Sequence, residues 1–75
     1  MQRQPVISGK KLLPLLKKKG FVSVRQKGSH VFVRNNKNKG TVVPVHGNED
    51  LGKGLLKSIL DDLDLNIEDL LTRDN

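Results

Sequence analysis

Four leucines, Leu12, Leu13, Leu15 and Leu16, fall at helical spacing behind Ser8, a residue type that caps helix N-termini. The spacing predicts a helix that ends at Lys17-Lys18-Lys19, where cations oppose the helix dipole, with Gly20 at the left-handed position beyond. Pro14 cuts across this pattern: either the helix kinks there or its regular part begins later, near Lys10. Loose alternation over residues 21–27 predicts a strand with Val22 and Val24 on its buried face and Ser23 and Arg25 on the other. Residues 30–34 repeat the alternation, with Val31 and Val33 inward and His30, Phe32 and Arg34 outward. Gly28 suits the tight link between these two strands. The run Asn35-Asn36-Lys37-Asn38-Lys39-Gly40 has turn composition, and residues 41–46 make a third strand. Pro44 cannot donate to a ladder, so this strand belongs at a sheet edge.

After the loop Gly47-Asn48-Glu49-Asp50, leucine and isoleucine recur every four residues at Leu51, Leu55, Ile59 and Leu63, with Leu56 and Leu60 beside them. This is a second helix. Gly52 and Gly54 weaken its start; they belong either to the loop or to a place where another backbone passes close. Asn66-Ile67-Glu68-Asp69 resembles a capping box, with Leu65 and Leu70 as its staple, and predicts a short third helix to about Leu71. Residues 1–5 are polar and read as a frayed arm. The order helix, three strands, helix, short helix gives an α+β domain over residues 1–75: a three-stranded antiparallel sheet with helices on one face and the other face open to water.

Charge sharpens this picture. Residues 1–48 hold eleven Lys/Arg and no acid, while residues 49–75 hold three Lys/Arg and all eight acids, so the net +6 divides as +11 and −5. Clustered Lys/Arg of this kind is the electrostatic footprint of phosphate binding. The chain has no cysteine, which excludes disulfides, thiolate metal sites and a thiol nucleophile. No run of about 18 apolar residues is present, and residues 1–10 lack a signal-peptide core. The expectation is a soluble cytoplasmic protein.

His30 is the first candidate for chemistry. It follows a glycine and a serine at a strand start, shares a face with Arg34, and lies close in sequence to Arg25 and Lys27. Imidazole is the side chain suited to proton transfer at neutral pH. Ser29 is not its nucleophilic partner, because neighbours on a strand point to opposite faces; it offers a hydroxyl or N–H to phosphate, or caps the turn. His46 either pairs with His30 as acid and base or is a loop histidine with a capping role. Two histidines without carboxylate or cysteine company make no metal site. The carboxylates begin at Glu49 and do not resemble a magnesium nuclease centre, so metal-free chemistry is favoured. RNA, with its built-in 2′-OH nucleophile, is then the better substrate. Phe21 and Phe32 are the only aromatics, so binding rests on phosphates and shape, through Lys10, Lys11, Lys27, Ser29 and Arg34.

Several segments together resemble one family. They are Ser8-Gly9-Lys10-Lys11-Leu12-Leu13, Leu15-Leu16-Lys17-Lys18-Lys19-Gly20-Phe21, Gln26-Lys27-Gly28-Ser29-His30, Val43-Pro44-Val45-His46, and the helix Leu51…Gly54-Leu55…Ile59-Leu60. Over most of residues 8–63 the chain is similar to the HicA toxins, the small mRNA interferases of type II toxin-antitoxin pairs. The resemblance implies a fold like the double-stranded-RNA-binding domain and RNA cleavage without metal or other cofactor. It also implies His30 as the catalytic histidine and a HicB-type antitoxin that occludes the site. The alternative is a non-catalytic double-stranded-RNA-binding module of the same fold. A third reading is an adaptor whose basic face meets an acidic protein.

Overall fold

The computed structural model describes residues 6–71, so the expected frayed arm at residues 1–5 lies outside the described residues. The elements run α1 (Gly9–Lys18), β1 (Val22–Lys27), β2 (His30–Arg34), β3 (Gly40–Pro44), α2 (Lys53–Asp62) and α3 (Ile67–Leu71). The strands form one antiparallel sheet in the order β1-β2-β3, which puts the proline-bearing strand at an edge. Helix, three antiparallel strands and helices follow one another as in the double-stranded-RNA-binding-domain-like fold. Among the described residues no helix is long and apolar enough to cross a membrane.

Local chemistry accounts for α1. Ser8 takes an extended backbone, and its Oγ accepts the Lys11 N–H at 3.2 Å. At the other end Phe21 N–H bonds to Leu16 O and Gly20 N–H to Lys17 O, both at 3.0 Å. This is the 6→1 and 5→2 pairing of a Schellman motif, with Phe21 buried as its apolar contact. The helix runs through Pro14, which faces outward. The Lys10 carbonyl, which loses its intrahelical donor there, is left on the exposed side.

The core lies between one sheet face and the helices. Leu12 and Leu16 of α1, Val31 and Val33 of β2, and Val43 of β3 are buried. Each such side chain contributes about 1.5–3 kcal/mol by leaving water. The alternation expected for β2 holds, with Val31 and Val33 covered while His30 and Arg34 are exposed.

Other expectations need correction. Val22 and Val24 are not on a buried face: they are 49% and 54% exposed, and every residue of β1 is exposed. The register slips between Ser23 and Arg25, so Val22 opposes Arg34 and Arg25 opposes Phe32 on the open face. One extra residue in a strand exchanges the faces on either side of it. The third strand stops at Pro44 rather than His46, and Val45 and His46 continue beyond it. In α2 the buried residues are Leu56, Ile59 and Leu60, while Leu55 is 44% exposed. A repeat of four drifts around a helix of 3.6 residues per turn, so the four-residue ladder cannot face the core throughout. Leu51 is buried but precedes the helix, its N–H bonding to Ile7 O at 2.8 Å. Gly52 is the α2 N-cap and Gly54 lies in the first turn; neither has a close neighbour, so no backbone passes against them.

The C-terminal part follows its expected pattern. Asn66 N–H bonds to Asp69 Oδ2 at 3.0 Å, the reciprocal half of a capping box, and Leu70 is buried.

Candidate functional site

The site is built on the hairpin between β1 and β2. Lys27 and His30 are directly opposite across a two-residue turn, Gly28-Ser29. Gly28 has φ +58° at the first central position, where a type II′ hairpin turn takes glycine. Gln26 Nε2 donates to the Gly28 carbonyl at 3.0 Å. The turn therefore delivers His30 as the first residue of β2, on the uncovered face beside Lys27.

A second chain segment arrives from β3. Pro44 opposes His30 and has no N–H, so the next ladder bond falls to Val45, whose N–H reaches Ser29 O at 2.7 Å. That bond carries His46 to the end of β2. The chain then reverses, with Glu49 N–H bonding to His46 O at 2.9 Å. α1 supports this segment from behind. A Cβ on Gly9 would collide with the Pro44 carbonyl oxygen and crowd the Val45 side chain, so only glycine lets the helix start lie so close.

Three polar side chains meet there. The rings of His30 and His46 lie edge to face, with centroids 6.1 Å apart and planes at 84°. Ser29 Oγ contacts His46 Nε2 at 3.3 Å. Both histidines are exposed, and Ser29 is half-buried. His30 occupies a shallow depression with Lys27, Ser29, Phe32 and Val42. His46 lines an adjoining groove with Glu49, Asp50 and Leu55. The pair matches what acid–base chemistry on one small group requires: two imidazoles within reach of it, an adjacent cation, and an open approach.

The remaining candidates are more scattered. Arg34 is on the same face as His30 but four residues along β2, roughly 13 Å at a strand rise of about 3.3 Å. The two residues therefore stand at opposite ends of the strand. Phe32 lies between them, with the Arg25 guanidinium 5.8 Å from its ring centroid, a cation–π contact on the open face. Lys10 and Lys11 are exposed in the first turn of α1, and Lys10 lines a groove with Pro14, Lys17, Val22 and Ser23.

Sequence reasoning placed Ser29 in a phosphate contact or a turn, and missed its contact with His46. It also missed Gly9 altogether. The signal for Gly9 was faint: a glycine directly after an N-cap serine, where helix propensity argues for another residue.

No match is found among curated proteins. The family model described as HicA toxin of bacterial toxin-antitoxin matches residues 9–65. That span takes in α1, the whole sheet and α2, with Ser29, His30 and His46 inside it, and the chain belongs to the HicA toxin family.

Proposed function

We propose that this toxin is a metal-independent endoribonuclease, an mRNA interferase acting in the cytoplasm, with His30 as its general base. One observation carries the reading: His30 stands exposed on the open sheet face beside Lys27, with a second imidazole 6.1 Å away. His30 takes the proton from a 2′-OH. The resulting oxygen attacks the adjacent phosphorus, expels the 5′-oxygen of the next nucleotide and leaves a 2′,3′-cyclic phosphate. Lys27 stabilises the charge that grows on the phosphate. Arg34, Lys10 and Lys11 hold neighbouring phosphates, and His46 is the candidate for the second proton transfer. Imidazole handles both protons, so the step requires no cofactor. A HicB-type antitoxin restrains the activity by covering the open face.

General acid–base catalysis contributes about 10²–10⁴-fold, so His30→Ala is expected to lose at least a hundredfold in cleavage, with an unchanged thermal melt. The assay is RNA cleavage in EDTA with analysis of the product ends. Cyclic phosphate ends that disappear in the variant support the reading. Intact RNA in both samples, with salt-sensitive duplex binding retained, favours instead the non-catalytic double-stranded-RNA-binding module that this fold and Lys10 and Lys11 also suit.

A further inference from the structure

We propose that His46 is the general acid of this site and that Ser29 positions it. The proposal rests on the ribonuclease reading and divides its two proton transfers between the two histidines. The division follows from what each ring touches. Among the described residues the His30 side chain makes no hydrogen bond, and its depression contains Lys27 and no carboxylate. His46 is tied through Nε2 to Ser29 Oγ and shares its groove with Glu49 and Asp50. The group that gives a proton to the leaving oxygen is better placed beside carboxylates, and the group that takes one from the 2′-OH beside an ammonium, which gives the acid's part to His46.

The tether also selects the reacting atom. An imidazolium donates from both nitrogens. If Nε2–H donates to Ser29 Oγ, then Nδ1–H is the proton available to the leaving oxygen. After transfer the neutral ring keeps its Nε2–H and the same bond to Ser29, so the ring holds one orientation throughout. Ser29, acting as acceptor, remains able to donate its own proton to a non-bridging phosphate oxygen.

The step balances. The 2′-O–H bond breaks and its proton passes to His30, while the 2′-oxygen forms a bond to phosphorus. The bond from phosphorus to the 5′-oxygen breaks, and that oxygen receives the Nδ1 proton of His46. His30 ends protonated and His46 neutral, and exchange with water restores both.

A general acid matters only when the leaving group needs a proton. The test compares an ordinary oligoribonucleotide with an oligoribonucleotide ending in a 3′-(4-nitrophenyl phosphate), whose phenolate leaves unaided. His46→Ala is expected to lose about 10²–10⁴-fold on the ordinary substrate yet remain within about tenfold of the wild type on the activated one. His30→Ala is expected to lose equally on both. Ser29→Ala is expected to show the His46→Ala pattern in weaker form, with Ser29→Thr restoring activity because it keeps the hydroxyl. A thermal melt accompanies each variant, and His46→Gln replaces His46→Ala if the latter unfolds.

Equal losses on both substrates in the His46 variants overturn the acid assignment, as does wild-type activity in them. If His30→Ala is inactive while the His46 variants are unaffected, the base reading survives and only this proposal falls. A wild-type protein that cleaves neither substrate overturns both.

Discussion

The two ends of β2 are built in opposite ways. At the far end, past Arg34, the side chains of Asn35, Lys39 and Thr41 are tied down. Asn35 Oδ1 accepts the N–H groups of Lys37 and Lys39 at 3.0 and 2.8 Å, closing the β2–β3 hairpin on itself. Lys39 Nζ then pairs with Asp64 at 2.6 Å, and Thr41 Oγ1 donates to Asp62 at 2.8 Å. These contacts anchor the C-terminal end of α2 to the sheet. Lys39 also offsets the charge of a carboxylate that sits unfavourably near a helix C-terminus with no basic residue in the last turn. At the near end the backbone is held just as firmly, by Gln26, by the Val45 N–H and by the packing of Gly9, but the side chains are left open. The His30 side chain has no hydrogen bond among the described residues, and Lys27 faces solvent beside it. A rigid backbone with unsatisfied, exposed side chains is what a site for an external substrate needs. A hairpin whose side chains satisfy one another has a structural task instead.

The largest effect expected from this difference is at Gly9. Gly9→Ala forces α1 away from the Pro44–Val45 segment and is expected to cost about 1–3 kcal/mol, as overpacking at a close contact does. Urea unfolding measures that loss. The same variant is expected to reduce RNA cleavage beyond what unfolding explains, because His46 rides on the displaced segment. Wild-type cleavage by the folded fraction would mean that helix packing does not govern the site.

A smaller effect is expected from Asn35→Ala, which removes the acceptor of two backbone N–H bonds. A loss of about 1 kcal/mol in stability is expected, since a hydrogen bond contributes about 0.5–1.5 kcal/mol net. RNA cleavage at a temperature where the protein stays folded is expected to be unchanged. Reduced cleavage there would show that the two ends of β2 communicate.

The smallest effect belongs to Lys39→Ala. The Lys39 and Asp64 side chains are 48% and 69% exposed, and such pairs contribute about 0–1 kcal/mol. The difference from wild type is expected to shrink further at high salt, where surface charges are screened. A loss that persists in high salt would point to something other than the ion pair.

Much of the architecture was legible without the structure because it depends on near neighbours in the chain. The Ser8 cap, the Schellman end at Gly20, the capping box at Asn66 and the alternation in β2 all involve residues within a few positions of one another. Pro44 announced an edge strand because a missing N–H has the same consequence in any sheet. The faces of β1 were not legible, because a single slipped residue between Ser23 and Arg25 inverts a period-two pattern without altering composition. The apolar residues of the α2 segment were legible, with Leu51, Leu56, Ile59, Leu60 and Leu63 all buried, and Leu55 alone turns outward because a four-residue repeat drifts around the helix.

The candidate site divides along the same line. His30 stood out by itself, as an imidazole beside a glycine turn in a basic, acid-free stretch. Its company did not. Ser29 and His46 are 17 residues apart and meet only because the β2–β3 register places Val45 against Ser29. Gly9 matters only because α1 lands on the end of β3. Arg34 shares the open face with His30 and stands at the other end of β2. The sequence by itself determined the order of elements, the basic half, the open face of β2 and the leading histidine, since each follows from local chemistry or from net charge. Tertiary structure alone decided which groups converge on that histidine. Convergence depends on register and helix packing, which many residues distant along the chain set together.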